Sequence, residues 1–184
     1  ANQSETQMYV DCLFIQVKAL YHSQRVSEAT SLAERALKIQ ERITGTNTSI
    51  YAGFLTQLGV YYFNTNPGKA AECYKMALRI YENVCGINSN ESFLTRGLLA
   101  SSLMKASMYD EAYDVYKKRL EIAEKMYTKE SEKYVDCLLD LALSLHYLGR
   151  INEMQSYISQ ARELARHISF SNKGGYASFL YQCS

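Results

Sequence analysis

The sequence has 184 residues, of which 47% are hydrophobic and 21% charged, a composition that favours a folded chain over a disordered one. Its 20 Lys and Arg residues against 19 Asp and Glu residues give a net charge of +1, which supplies no positive field for nucleic acid or an anionic membrane. No apolar stretch is long enough to span a membrane, and no signal peptide is recognisable. We therefore expect no nucleic-acid partner and no membrane insertion.

The cysteines and histidines indicate neither disulfides nor a metal site. The five cysteines are widely spaced without a CxxC pair, at Cys12, Cys73, Cys85, Cys137 and Cys183. This pattern is typical of reduced thiols and predicts a cytoplasmic location. The three histidines have no metal-ligand spacing and lie at His22, His146 and His167. We expect no metal, no cofactor and no enzymatic activity.

The apolar spacing predicts a chain of helices, and a single proline with nine glycines leaves them few interruptions. In chain order the predicted helices are 4–23, 27–43, 48–64, 67–84, 91–106, 109–127, 132–147, 151–168 and 174–182. Asn66 followed by Pro67 is a good start for the fourth helix, because the Asn side chain can cap free amides. Gly45 and Gly86 follow the second and fourth helices, where a left-handed closing residue is needed.

The helices form an internal repeat. The leucines Leu37, Leu78 and Leu120 lie 41 and 42 residues apart in similar segments, and Arg162 follows after another 42 residues in a weaker copy. Another apolar segment with helical spacing precedes each copy in the chain. The repeating unit is therefore a helical hairpin of about 42 residues, with hairpins at 4–43, 48–84, 91–127 and 132–168.

Three positions of the hairpin are occupied mostly by small residues. These twelve positions are Val17, Gly59, Ala100 and Ala142, then Ala29, Ala70, Ala112 and Met154, then Ala36, Ala77, Arg119 and Ala161. Nine of them are Gly or Ala, which allows two helices to cross closely. Arg119 departs most from the pattern, because a buried guanidinium needs a partner or a path to water.

These residues resemble the tetratricopeptide repeat (TPR) family, in particular the 42-residue form found in kinesin light chains. The resemblance implies an all-α fold, a right-handed superhelical solenoid of antiparallel helical hairpins with about four repeats and a terminal helix. It implies one repeat domain over 1–184. The segment from Tyr176 is similar to the one from Tyr51, so this last helix either caps the end of the array or begins a fifth repeat; we favour the second, in which the chain is a fragment of a longer protein.

The resemblance also implies a concave groove lined by the first helix of each hairpin. Its expected lining is Phe14, Lys18, Tyr21, His22, Thr56, Val60, Phe63, Asn64, Leu94, Ser101, Met104, Lys105, Leu139, Leu143, His146 and Tyr147. This lining is more apolar than charged. It suggests an adaptor or scaffold module that binds a peptide or protein segment through hydrophobic side chains.

An open apolar groove is unusual in a soluble monomer, which leaves an alternative. The same residues could pack on another domain of the parent protein or on a second copy in a homodimer, giving a structural or regulatory array. A catalytic interpretation has little support. Asp136 and Asp140 share a helical face, but acids at that spacing are usually solvated, and no base or nucleophile accompanies them.

Overall fold

The computed structural model describes residues 3–166, and these form eight α-helices: α1 Gln3–His22, α2 Val26–Thr44, α3 Ser49–Tyr62, α4 Pro67–Val84, α5 Asn90–Lys105, α6 Tyr109–Met126, α7 Glu132–Tyr147 and α8 Ile151–Ala165. The helix bounds agree closely with the predicted ones. The largest difference is at the end of α8, which stops at Ala165 where 168 was predicted. The predicted helix at 174–182 lies outside the described residues.

Local sequence determines where several helices begin and end. Before α3, α4, α5 and α7 a polar side chain accepts a hydrogen bond from a backbone amide of the first turn, and these residues are Thr48, Asn66, Ser89 and Ser131. Gly45 and Gly86 have φ values of 74° and 94°, which glycine adopts without the steric cost of a Cβ atom. The capping roles predicted for Asn66, Gly45 and Gly86 agree with this geometry.

Within residues 3–166, helices pack on their chain neighbours inside each of two compact units. The boundary between two compact units lies between Ala106 and Ser107. In the first unit α1 packs on α2, α2 on α3, α3 on α4, and α4 on α5. In the second unit α7 packs on both α6 and α8. A single repeat domain over 1–184 stays a prediction.

The small-residue positions lie in the core. Eleven of the twelve are buried, and Arg119 is the exception. Ala70, Ala77 and Ala112 each have 0% of their surface exposed, as the packing of closely crossing helices requires.

Gly59 shows how closely two helices approach. A Cβ atom built on Gly59 would lie 2.7, 2.8 and 3.0 Å from three ring carbons of Tyr74 in α4. Tyr74 is only 1% exposed, so its ring fills the space that the missing side chain leaves. Helices α3 and α4 therefore interlock through one ring and one glycine.

Arg119 finds the partner that its position requires. Its Nη1 atom lies 2.5 Å from Oδ2 of Asp140, so that α6 and α7 share an ion pair with the Arg119 side chain 12% exposed. The interpretation of Asp136 and Asp140 as solvated acids is wrong. Asp140 takes part in this pair, and Asp136 is half-buried, with an Oδ1 atom that has no hydrogen-bond partner among the described residues.

Burial has an electrostatic consequence at Asp136. Desolvation and the nearby charge of Asp140 raise the pKa of Asp136 to about 6, while Arg119 acts in the opposite direction. The Asp136 carboxyl therefore resists ionisation inside the folded second unit.

Candidate functional site

Three of the predicted groove residues meet in the first unit, at the C-terminal ends of α3 and α5. The Nζ atom of Lys105 donates a hydrogen bond to Oδ1 of Asn64 at 2.6 Å. The same ammonium group lies 4.7 Å from the centre of the Phe63 ring, within the range of a cation–π interaction. We call Phe63, Asn64 and Lys105 the Lys105 cluster.

The Lys105 cluster presents three kinds of chemistry to the solvent. Asn64 and Lys105 are exposed, and Phe63 is half-buried. Because Oδ1 of Asn64 accepts the Lys105 hydrogen bond, the Asn64 amide nitrogen is the group suited to donate to a peptide carbonyl. The cluster therefore combines an aromatic face, an amide donor and a cation.

Four further predicted residues on α3 and α5 are half-buried and leave part of their surface accessible: Thr56, Val60, Ser101 and Met104. The Thr56 hydroxyl already donates to the backbone oxygen of Ala52 at 2.9 Å. Thr56 is thus committed to its own helix. Val60 and Met104 bring apolar surface to the same two helices.

At the C-terminal end of α1, Tyr21 joins a group of aromatic rings. Its ring centre lies 4.9 Å from that of Tyr61 and 6.2 Å from that of His22. The Tyr61 ring is 3% exposed, and its hydroxyl has no hydrogen-bond partner among the described residues. Burial, followed by the proximity of Tyr21, raises the pKa of Tyr61.

Two predicted residues are buried and offer little contact surface. Phe14 is 6% exposed and stacks on Phe54 with ring centres 3.9 Å apart, which joins α1 to α3. Leu139 in α7 is also 6% exposed. Both side chains serve core packing in this structure, so the prediction that they line an accessible groove is wrong for these two residues.

In the second unit, Tyr147 at the end of α7 is 53% exposed and stacks on Tyr109 of α6, with ring centres 4.8 Å apart. The exposed His146 ring meets Tyr147 edge-on at 5.5 Å. Leu143, one turn earlier, is half-buried. The exposed end of α7 is therefore an aromatic surface that belongs to the second unit, whereas the Lys105 cluster belongs to the first.

The remaining predicted residues, Lys18 and Leu94, are exposed on α1 and α5. Sequence reasoning missed Phe54, Tyr61 and Tyr109, whose rings contact predicted residues. Phe54 and Tyr61 lie on α3 with the predicted residues Thr56 and Val60. Aromatic side chains so close to predicted surface residues could have been identified from the sequence. Tyr109 gave no such signal, because it opens the second helix of its hairpin.

None of the helices in residues 3–166 combines the length and the apolar character needed to cross a membrane. The same stretch contains no group of three or more His, Cys, Asp or Glu side chains that could hold a metal ion.

The eight helices of the described region, with small residues at their crossings, define an all-α protein with a TPR-like repeat fold. The predicted fold class is confirmed by solved structures. A putative kinesin light chain from Podosopora anserina with nearly identical TPR-like repeats superposes with a TM-score of 0.78 at 18% identity, over 85% of this chain and 74% of that chain.

Two Rap proteins are also similar in structure. The apo form of RapI has a TM-score of 0.78 at 13% identity, over 93% of this chain and 46% of RapI. A Rap protein complexed with competence and sporulation factor has a TM-score of 0.59 at 13% identity, over 84% of this chain and 42% of that chain. No protein-family model and no curated protein matches the sequence.

Proposed function

We propose that the chain is a protein-interaction module, an adaptor or scaffold, that binds a peptide or protein segment on α3 and α5, the first helices of its second and third hairpins. The observation that carries the proposal is the Lys105 cluster, in which an aromatic ring, an amide and a cation from α3 and α5 lie within contact distance. The Rap protein complexed with competence and sporulation factor supports it as a structurally similar protein with a bound partner.

The contacts of the cluster suggest how a segment would bind. An apolar side chain of the ligand would pack on Phe63 and the accessible parts of Val60 and Met104. The Asn64 amide would donate to a ligand backbone carbonyl, which fixes orientation without requiring one particular side chain. In such interfaces hydrophobic anchors usually supply most of the affinity, and a few polar contacts supply the specificity. We assign the chain no catalytic step.

The position of Lys105 adds a charge preference. Its ammonium group is held by Asn64 and the Phe63 ring, which reduces the conformational entropy it would lose on binding. An exposed cation held in this way favours a ligand with a carboxylate next to its apolar anchor. We therefore expect acidic residues close to the hydrophobic anchor of the bound segment.

Selection from a displayed library of random peptides tests the proposal while the partner is still unidentified. The chain is expected to enrich peptides with an apolar residue next to an acidic one, and Phe63→Glu should weaken their binding by about tenfold or more. Lys105→Glu should weaken the binding of acidic peptides in particular, because it replaces the attraction between opposite charges by a repulsion between like charges.

Val84→Glu is the matched control. Val84 is 46% exposed, lies in the same unit and ends α4 much as Phe63 follows the end of α3. Unchanged binding by the Val84→Glu variant and loss by the Phe63→Glu variant support the proposal. Enriched peptides that bind the Phe63→Glu and Lys105→Glu variants as well as the unmodified chain, or a selection that enriches nothing, contradict it.

A further inference from the structure

One side of α1 is apolar and uncovered in the described structure. Met8 and Ile15 are 66% and 67% exposed, and Cys12 and Ala19 are exposed between and beyond them. These four residues recur once per turn and therefore form one stripe along the helix. Tyr9, 46% exposed, borders the stripe. We call these five residues the α1 outer face.

The repeat shows that Tyr9 and Ala19 of this face have buried counterparts on other helices, whereas the counterparts of Met8 are exposed. Tyr9 is 42 residues before Tyr51 of α3, and Tyr134 holds the same repeat position in α7. Tyr51 and Tyr134 are 5% and 4% exposed, whereas Tyr9 is 46% exposed. The counterparts of Ala19 are also buried, and they are Tyr61, Ser102 and Ser144.

The counterparts of Tyr9 are covered by the preceding second helix of a hairpin. Leu37 of α2 packs against the buried cluster that contains Tyr51, and the charge of Glu41 acts on the Tyr51 hydroxyl. In the second unit, Tyr134 donates a hydrogen bond from its hydroxyl to Oε1 of Glu124 in α6 at 3.1 Å. Each covering helix thus supplies apolar packing or an acid to the tyrosine.

The covering helices share a sequence pattern. A leucine is followed four residues later by a glutamate in α2, α4 and α6, at Leu37 and Glu41, Leu78 and Glu82, Leu120 and Glu124. In α4 the glutamate pairs with Arg96 of α5 instead of a tyrosine. A spacing of four places the leucine and the glutamate on one side of the helix. Leu37 of α2, Glu82 of α4 and Glu124 of α6 each contact the hairpin that follows.

We propose that the α1 outer face binds an amphipathic helix of a partner protein that carries a leucine and a glutamate four residues apart. The leucine packs beside Tyr9 and Ile15, and the glutamate accepts a hydrogen bond from the Tyr9 hydroxyl. This surface is distinct from the Lys105 cluster, so the inference goes beyond the proposed function.

A second copy of this chain is a poorer occupant than a partner helix. The leucine and glutamate sides of α2, α4 and α6 already face α3, α5 and α7 within each copy. The corresponding positions of α8 are Arg162 and Arg166, both exposed, which supply cations where the pattern requires an apolar residue and an acid. A second copy could therefore present this pattern to the α1 outer face only if part of that copy unfolded.

A peptide copied from the chain itself is a suitable probe. A fluorescently labelled peptide of residues 26–44, which contains Leu37 and Glu41, should bind the full chain saturably in an anisotropy titration. Tyr9→Glu and Ile15→Lys should each weaken this binding by about tenfold or more. The peptide with Leu37→Lys and Glu41→Lys should bind much more weakly than the unmodified peptide, and Val84→Glu in the chain should have no effect.

Cysteine alkylation gives a second readout in the same sample. Cys12 lies within the α1 outer face, and Cys85 is exposed at the end of α4, outside it. Mass spectrometry should find that the 26–44 peptide slows alkylation of Cys12 several-fold and leaves the rate at Cys85 unchanged. Because Tyr9, Cys12 and Ile15 are exposed, the variants are expected to keep the circular dichroism spectrum of the unmodified chain.

Three results would overturn the proposal. The first is the absence of binding up to about millimolar peptide, since weaker association carries little affinity. The second is binding that Tyr9→Glu does not change and that leaves Cys12 unprotected, because the peptide then sits elsewhere, for instance on α3. The third is a light-scattering mass that doubles with chain concentration without peptide and returns to the monomer in the Tyr9→Glu variant, because a second copy is then the occupant.

Discussion

The contact between Gly59 and Tyr74 yields the sharpest stability prediction, through the substitution Gly59→Ala. The new methyl group would lie 2.7 to 3.0 Å from three carbons of the Tyr74 ring, well inside the usual 3.5–4.0 Å carbon–carbon separation. Tyr74 is 1% exposed and has little room to move away. The packing between α3 and α4 must therefore open to accept one extra carbon.

Two opposing terms determine the magnitude. Inserting a methylene-sized group into a well-packed core costs about 1–3 kcal/mol, and three simultaneous short contacts favour the upper end. Alanine gains about 1 kcal/mol over glycine inside a helix. We expect Gly59→Ala to lower the free energy of unfolding by about 2 kcal/mol.

Gly53→Ala is the matched control on the same helix. A Cβ atom at Gly53 would meet only the Tyr81 hydroxyl oxygen, at the ordinary distance of 3.5 Å. Helix propensity then dominates, and the substitution should stabilise the chain by up to about 1 kcal/mol. The same chemical change in one helix is therefore expected to act with opposite signs at the two glycines.

Urea unfolding followed by circular dichroism measures both variants. The unfolding free energies should differ by about 3 kcal/mol at unchanged denaturant slope. Tyr74→Leu in the Gly59→Ala background should recover part of the loss, with a coupling energy of about 1 kcal/mol or more in a double-mutant cycle. A Gly59→Ala variant as stable as the Gly53→Ala variant would refute the packing argument.

Two further predictions concern Asp136 and Asn66. The pKa of Asp136 is raised to about 6 from an ordinary value near 3.9, so ionisation of this carboxyl opposes folding. The contribution of Asp136 to the free energy of unfolding is therefore full below pH ~4 and is lost as the pH rises through 6. Asp136→Asn should therefore gain roughly 1–2 kcal/mol of unfolding free energy relative to the unmodified chain between pH 4 and pH 8; a difference that does not change with pH would contradict this cause. Asn66→Ala should cost about 1 kcal/mol in urea unfolding, because the Asn66 side chain accepts a hydrogen bond from the Lys69 amide at 3.0 Å; Asn66→Ser should retain most of the stability, and an equal loss in both variants would count against capping.

The helices and their crossings could be predicted because their signals are local or periodic. Asn66 with Pro67, and the glycines at 45 and 86, mark helix ends through their own backbone chemistry. Small residues recurring every 41 or 42 positions point to close crossings, as the buried Ala70 and Ala112 show. Neither inference depends on which side chain meets which.

The pairing of side chains between hairpins could not be predicted in the same way. The pattern shows that Arg119 needs a partner, but finding Asp140 requires the register of α6 on α7. Phe14 was predicted to line a surface, yet it is buried because Phe54 stacks on it from α3. A helical period indicates the side of a helix on which a residue lies, and the shape of the neighbouring helix determines how much of that side remains exposed.

The face of α3 and α5 around Phe63 is the surface on which we propose that a protein segment binds. Site-specific photocrosslinking with benzoylphenylalanine at position 63, compared with the same probe at position 84, tests this most directly with the library-selected peptides. We expect covalent adducts at position 63, their loss when Lys105→Glu is added, and none at position 84. Equal labelling at both positions, or labelling at position 84 alone, would contradict the proposed binding surface.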